Sequence, residues 1–184
     1  MSVFWDNFSW MVINISLAIL PLIFLSISFK VKNKIFKGLF LILWFLFFPN
    51  TIYLLTDLQY LPGQLSKFDP KLDLFLIGQY FSLLVIGIVT YIYSLRPVVG
   101  LLIKKYKKIK EEQWGLFVMI FNFMVSFGVF LGKIQRTESW DIFTNPLRVL
   151  TQINNSLHDP NAFVFVFLFG VLINVIYFFS ASLQ

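Results

Sequence analysis

Hydrophobic positions in this chain fall in long unbroken blocks separated by short charged segments. Five uncharged runs of at least 19 residues stand apart: Asn7–Phe29, Gly38–Thr56, Leu74–Leu95, Gln113–Gly132 and Pro160–Gln184; no other exceeds ten. A helix needs about 20 apolar residues to cross the hydrocarbon core of a bilayer. Lipid offers the backbone no partner outside its own segment, so each run must be helical. The pattern predicts an all-α integral-membrane bundle of five helices, over about 7–29, 38–57, 73–95, 113–132 and 160–181, within one domain spanning 1–184. The first run reads as a retained anchor rather than a cleaved signal. Met1–Asn7 carries no Lys or Arg, and no small-residue cleavage site follows the apolar stretch.

Composition removes other classes. Of 184 residues, 58% are hydrophobic, 20% aromatic and 13% charged, and mean hydropathy is +0.79. A soluble domain carries roughly 25% charged residues, and 24 Phe could not all be hidden inside a water-soluble body of this size. With no Cys and a single His, His158, there is no thiolate or His-cluster metal site and no Cys nucleophile. A Ser-His-Asp hydrolase is a poor fit, and no cofactor fingerprint is present.

Charge then sets an orientation. Lys30–Lys37 and Arg96–Glu112 together hold 10 of the 15 basic and 2 of the 9 acidic residues, a net of +8, while the remainder nets −2. The positive-inside rule makes these two loops cytoplasmic, with the N-terminus outside and the C-terminus inside. Trp5, Trp10, Tyr53 and Tyr60 then lie near outer ends, and Tyr91, Tyr93 and Trp114 near inner ends. The lysines orient helices and touch anionic lipid headgroups; a nucleic-acid partner is not implied. Val98–Lys110 alternates apolar and Lys clusters and reads as an interfacial helix on the inner surface.

Asp69-Pro70, Asn145-Pro146 and Asp159-Pro160 each put a capping side chain before a proline suited to a first helical position. Asp69 and Asp159 would open the third and fifth spans. Asn145 would open a short interfacial helix, 146–157, with Leu147, Leu150, Ile153 or Asn154, and Leu157 on one side. Asp73 falls in the first turn of the third span, where the helix dipole favours an anion. Asn122 and Asn174 are single polar residues in spans, the usual form of an interhelical hydrogen bond. Gly38-Leu39-Phe40 and Gly115-Leu116-Phe117 form a faint internal echo, each after a basic loop.

Polar residues inside spans are costly and draw attention. In the second span Pro49 should kink the helix and free carbonyls. Asn50, Tyr53 and Asp57 follow at i, i+3 and i+7, on one face of an α-helix. The fourth span ends in Gly128 and Gly132, a close-packing pattern, and continues through Lys133, Arg136, Ser139, Trp140 and Asp141. Lys133, Arg136 and Trp140 again recur at i, i+3 and i+7. Both stretches fall at the outer boundary in the orientation above, so Asp57 would pair with Arg136 or Lys133 in a water-accessible pocket there.

Pro49-Asn50-Thr-Ile-Tyr53-Leu-Leu-Thr56-Asp57-Leu58, with Gly132-Lys133-Ile-Gln-Arg136-Thr-Glu-Ser139-Trp140-Asp141 and Asn145-Pro146 further on, resembles the bacterial multi-pass membrane family catalogued as domain of unknown function 1361. The resemblance implies a bacterial inner-membrane protein and makes Asn50, Tyr53, Asp57, Arg136, Ser139, Trp140 and Asp141 part of a family pattern. It leads one to expect Asn before the Ser-Trp-Asp, where this chain has Glu138. It supplies no substrate.

Three function classes fit the residues. An accessory or binding protein would use Lys133, Arg136 and Trp140 for an anionic lipid headgroup or a protein partner. A membrane enzyme on a lipid-linked substrate would use Asp57 or Asp141 as acid/base. A transporter would need five spans to assemble as a homo-oligomer, with Asp57 carrying a proton or cation.

Overall fold

The computed structural model describes residues 2–65, 70–108 and 110–182. All regular structure among them is helical: α1 (Ser2–Lys30), α2 (Lys34–Phe47), α3 (Pro49–Tyr53), a 3-10 helix (Leu54–Tyr60), α4 (Leu61–Leu65), α5 (Pro70–Lys105), α6 (Glu111–Lys133), α7 (Asp141–Thr144), α8 (Pro146–Leu157) and α9 (Pro160–Ser182). Five helical stretches are long and apolar enough to cross a membrane: Trp5–Lys30, Lys34–Leu65, Pro70–Lys105, Glu112–Lys133 and Pro160–Ser182. They correspond to the five uncharged runs. Large apolar side chains such as Leu74, Phe81, Phe163 and Phe179 are exposed along them, as helices facing lipid require.

Two compact units are resolved, Met1–Ser94 and Leu95–Gln184. In the first, α1 packs along α2, α3 and the 3-10 helix. Met11, Ala18, Leu54, Tyr80 and Leu83 form a core there, with Trp10, Ile15, Leu58, Leu61 and Ile86 against it. Gly87 lets α5 approach closely: a Cβ at this position would meet Leu55 Cδ1 at 2.9 Å, the Thr51 carbonyl at 3.1 Å and Leu54 Cβ at 3.2 Å. Trp44 donates its indole N–H to Ser94 Oγ at 2.8 Å.

In the second unit α6 and α9 form the main helix pair. Asn122 Nδ2 donates to Asn174 Oδ1 at 2.9 Å, an interhelical bond of the kind expected for each, with the pairing supplied by the structure. Ser126 Oγ donates to the Val166 carbonyl at 3.1 Å, and Phe130 packs on Phe165. Arg96 on α5 donates to the carbonyl of Ser180 in the last turn of α9, where a cation suits the exposed carbonyls.

The ends of the helices follow capping chemistry. Asn145 Oδ1 accepts the Arg148 N–H at 3.2 Å and Asp159 Oδ1 the Asn161 N–H at 2.9 Å, as predicted. The cap predicted at Asp69 lies outside the described residues. One cap escapes the sequence pattern: Asn33 Oδ1 accepts from Ile35 N–H at 2.9 Å, so α2 starts at Lys34, ahead of the uncharged run.

The inner interfacial helix predicted for Val98–Lys110 is not a separate element. α5 runs 36 residues without interruption, through Pro97 to Lys105, a length of about 54 Å against a core of about 30 Å. Lys104 and Lys105 occupy its last turn, where the helix dipole favours cations and solvent is reached, so nothing forces the chain to bend flat.

Candidate functional site

The second span is rebuilt at its proline. Pro49 has no N–H, and the next ladder bond is shortened: Thr51 N–H reaches the Phe48 carbonyl at 3.0 Å instead of that of Phe47. Asn50 Nδ2 donates to the Phe47 carbonyl at 3.0 Å, and Thr51 Oγ1 to that of Phe48 at 2.8 Å. Asn50 therefore seals backbone opened by the proline.

Beyond Tyr53 the chain tightens into the 3-10 helix, and this changes which residues share a face. Winding of about 120° per residue, against about 100° in an α-helix, turns Asp57 by roughly 80° over four residues. Asp57 leaves the line of Asn50 and Tyr53, joins that of Leu54, and is 1% exposed. Asn50 and Tyr53 stay half-buried.

Around Asp57 the first unit gathers a polar cluster that the sequence reading does not name. Asn14 Nδ2 donates to Asp57 Oδ2 at 2.9 Å. Asn7 and Gln64 exchange two amide bonds, at 2.8 and 3.0 Å, and Trp10 Nε1 donates to Asn7 Oδ1 at 3.2 Å. Tyr80 is fully buried beside Gln64 and within electrostatic reach of Asp57. Trp10 stands 6.2 Å from both Tyr60 and Tyr80, ring to ring. The missed signal was present in the first span: Asn7, Trp10 and Asn14 repeat at i, i+3 and i+7, the spacing of a single helix face. A carboxylate this buried is tolerated only with donors around it, and Asn14 supplies one.

The second unit carries the other motif, on a loop clamped by α8. After Lys133 the chain turns at Arg136, whose φ of 51° is the left-handed region a non-glycine residue seldom enters. Thr137 N–H folds back to the Leu131 carbonyl at 3.0 Å. Gln152 of α8 holds this loop twice, donating to the Gln135 carbonyl at 3.0 Å and accepting from Thr137 Oγ1 at 2.5 Å. Arg148 donates to the Arg136 carbonyl at 3.5 Å and lies 3.9 Å from Asp141 Oδ2.

Asp141 is buried and committed locally. Its Oδ2 accepts the Glu138 N–H at 2.9 Å, and Thr144 Oγ1 lies 3.4 Å from its Oδ1. These bonds make it the brace of the turn leading into α7. Glu138 sits close enough that partial burial, then the Asp141 charge, raise its pKa above the usual carboxylate value, with Arg148 opposing. Arg136 and Trp140 are exposed, whereas Lys133 and Ser139 are half-covered.

The α8 stripe is uncovered at its leucines, and its open middle position falls to the exposed Asn154 rather than the half-buried Ile153. Leu147, Leu150 and Leu157 are 76%, 61% and 70% exposed, whereas Val149 and Ser156 on the opposite side are buried. Phe143 of α7 extends the apolar surface. The described residues contain no group of three or more His, Asp or Glu placed to hold a metal ion.

Five apolar helices and an amphipathic helix beside a cationic turn define a multi-pass α-helical membrane protein. The family model described as "Protein of unknown function (DUF1361)" matches residues 13–176, and the chain belongs to that family. No curated protein and no solved structure matches it.

Proposed function

We propose that this protein is a membrane-embedded binding component of a bacterial inner membrane, and that residues 133–157 form a surface for an anionic lipid headgroup. One observation carries the reading. A clamped turn presents the exposed Arg136, which has no ion-pair partner among the described residues, four residues ahead of the exposed Trp140, and α8, which holds that turn, carries the uncovered Leu147–Leu150–Leu157 stripe. An amphipathic helix of this kind lies in the plane of the interface, with its apolar side among acyl chains. Guanidinium presents a planar fork of donors to a phosphate, and Trp favours the same depth. Arg148 is half-exposed and adds a second cation, partly spent on Asp141.

In this reading the lysine-rich segments face the cytoplasm and the 133–157 surface faces outward. The chain has no native Cys, so orientation is tested directly. Trp140→Cys should react with an impermeant thiol reagent in intact cells and Lys107→Cys should not; the reverse overturns the orientation.

The binding reading is tested by native mass spectrometry of the full chain released from bilayers of mixed phosphatidylglycerol and phosphatidylcholine. Wild-type protein should retain phosphatidylglycerol preferentially, and Arg136→Gly should lower that retention several-fold. Unchanged retention, or a co-purifying polypeptide with no lipid preference, would sink the reading.

A further inference from the structure

The opposite end of α6 carries a second feature, independent of the 133–157 surface. A cavity of about 480 Å³ lies between the end of α5 and the start of α6, lined by Leu102, Tyr106, Gln113, Trp114 and Phe117. That volume is within the range of small-molecule sites, and its walls are mainly apolar and aromatic, as such sites are. Its setting is cationic. Residues 96–110 hold Arg96, Lys104, Lys105, Lys107, Lys108 and Lys110 with no acid; Glu111 and Glu112 follow. The lysines at 104, 105, 107, 108 and 110 are all exposed. Lys105 Nζ lies 5.2 Å from the ring centroid of Tyr106, so one ammonium is folded against a cavity wall.

Polar capacity in the lining is unspent as well. Gln113 gives its side-chain carbonyl to the Lys110 N–H at 3.1 Å, which leaves its amide hydrogens for another acceptor. Trp114 is 7% exposed, and its indole N–H is shielded and without a hydrogen-bond partner among the described residues. An unpaired buried donor is costly, and an acceptor brought in by a small turn of the ring would relieve it.

We infer that this cavity is a binding site for an anionic phospholipid, with an acyl chain against Leu102, Trp114 and Phe117 and the phosphate among Lys104, Lys105 and Lys107. The depth selects the occupant. Phe117 belongs to a membrane span that begins at Glu112, whereas Lys104 and Lys105 occupy the last turn of α5 and Lys107 the turn beyond it, so the cavity straddles the level where hydrocarbon gives way to headgroups. An apolar wall beneath a cationic rim complements a molecule with a chain at one end and a negative phosphodiester at the other.

The test places the full chain in nanodiscs of equal phosphatidylglycerol and phosphatidylcholine, with bromine on the acyl chains of one lipid or the other. Bromine quenches tryptophan on contact, and subtracting the signal of Trp114→Phe isolates that of Trp114. Brominated phosphatidylglycerol should quench Trp114 at least about twice as strongly as brominated phosphatidylcholine, the preference expected where lysines enrich anionic lipid. The combined Lys104→Gln, Lys105→Gln and Lys107→Gln variant should abolish the preference, and Leu102→Phe, which narrows the cavity, should reduce quenching by both lipids. Arg136→Gly should leave the preference intact, so failure here is separable from failure at the 133–157 surface. Equal quenching by the two lipids, or a preference that survives the triple lysine change, overturns the inference. If Trp114→Phe perturbs folding, phosphatidylglycerol molecules retained by wild type and by the lysine variant are counted by native mass spectrometry, and equal counts overturn it.

Discussion

Asp57 and Arg136 stand in the two units of this protein, and the fold treats their charges in opposite ways. Asp57 is enclosed at 1% exposure by a 3-10 helix and receives a hydrogen bond from the Asn14 amide. Arg136 is exposed on a turn that α8 grips, with Gln152 and Arg148 each donating to a backbone carbonyl of that turn. In the first unit the polar side chains hold one another. In the second they hold the loop, and Arg136 stays exposed. A charge inside a span is therefore a matter of packing and satisfied donors, whereas a charge at the interface can be spent on recognition.

The sharpest break of this contrast is at Asn14. Asn14→Leu removes a donor from a buried carboxylate and should destabilise the full chain by about 2–3 kcal/mol in detergent unfolding. The double change Asn14→Leu with Asp57→Leu should cost less than the sum of the two single changes by at least about 1 kcal/mol. Additive costs would mean the two side chains are not coupled.

Gly87→Ala probes the same region through packing. The added methyl meets the Thr51 carbonyl and Leu54 Cβ, atoms that cannot swing aside. Overpacking of this kind costs about 1–3 kcal/mol. A melting temperature equal to wild type would show that α5 is not held this closely.

In the second unit the sign should reverse. Arg136→Gly relieves a left-handed residue with φ of 51° and should stabilise the protein by about 0.5–1 kcal/mol while lowering anionic-lipid retention. Loss of both stability and lipid would show that the arginine is structural, and the contrast between units would fall.

The smallest effect concerns Glu138. Its pKa is raised in the fold by burial and by Asp141, so the neutral form is the one the structure favours. The stabilisation that this form provides is present at acid pH and is lost as pH rises through the raised pKa, leaving ionised Glu138 facing Asp141 at neutral pH. Glu138→Gln should therefore raise thermal stability slightly at pH 7, by well under about 1 kcal/mol, and the gain should vanish below pH 4. A gain that grows on acidification would contradict the assignment. The resemblance leads one to expect a neutral Asn here, and the electrostatics of the turn agree with such a residue.

Several elements were legible because one-dimensional signals carry them. The span count follows from charge spacing, the starts of α8 and α9 from Asn145 and Asp159 before proline, and an interhelical role for Asn122 and Asn174, though not their pairing, from lone amides in apolar helices. The candidate site was only half legible. The i, i+3, i+7 rule places Asp57 with Asn50 and Tyr53 only if the helix keeps α geometry, and the 3-10 winding after the proline withdraws that condition. Asp141 looked like an acid/base group in sequence, yet the Glu138 N–H and Thr144 claim its oxygens.

Composition and periodicity alone determined that this chain is a helical membrane protein, because the cost of an unpaired backbone in lipid leaves no other solution for five runs of this length. Which polar groups face one another is another matter, since it depends on helix rotation, and a change of a few tens of degrees redirects a side chain without altering any hydropathy pattern. Only the tertiary structure could set Asn14 against Asp57, withdraw Asp141 into a turn and leave Arg136 at the surface.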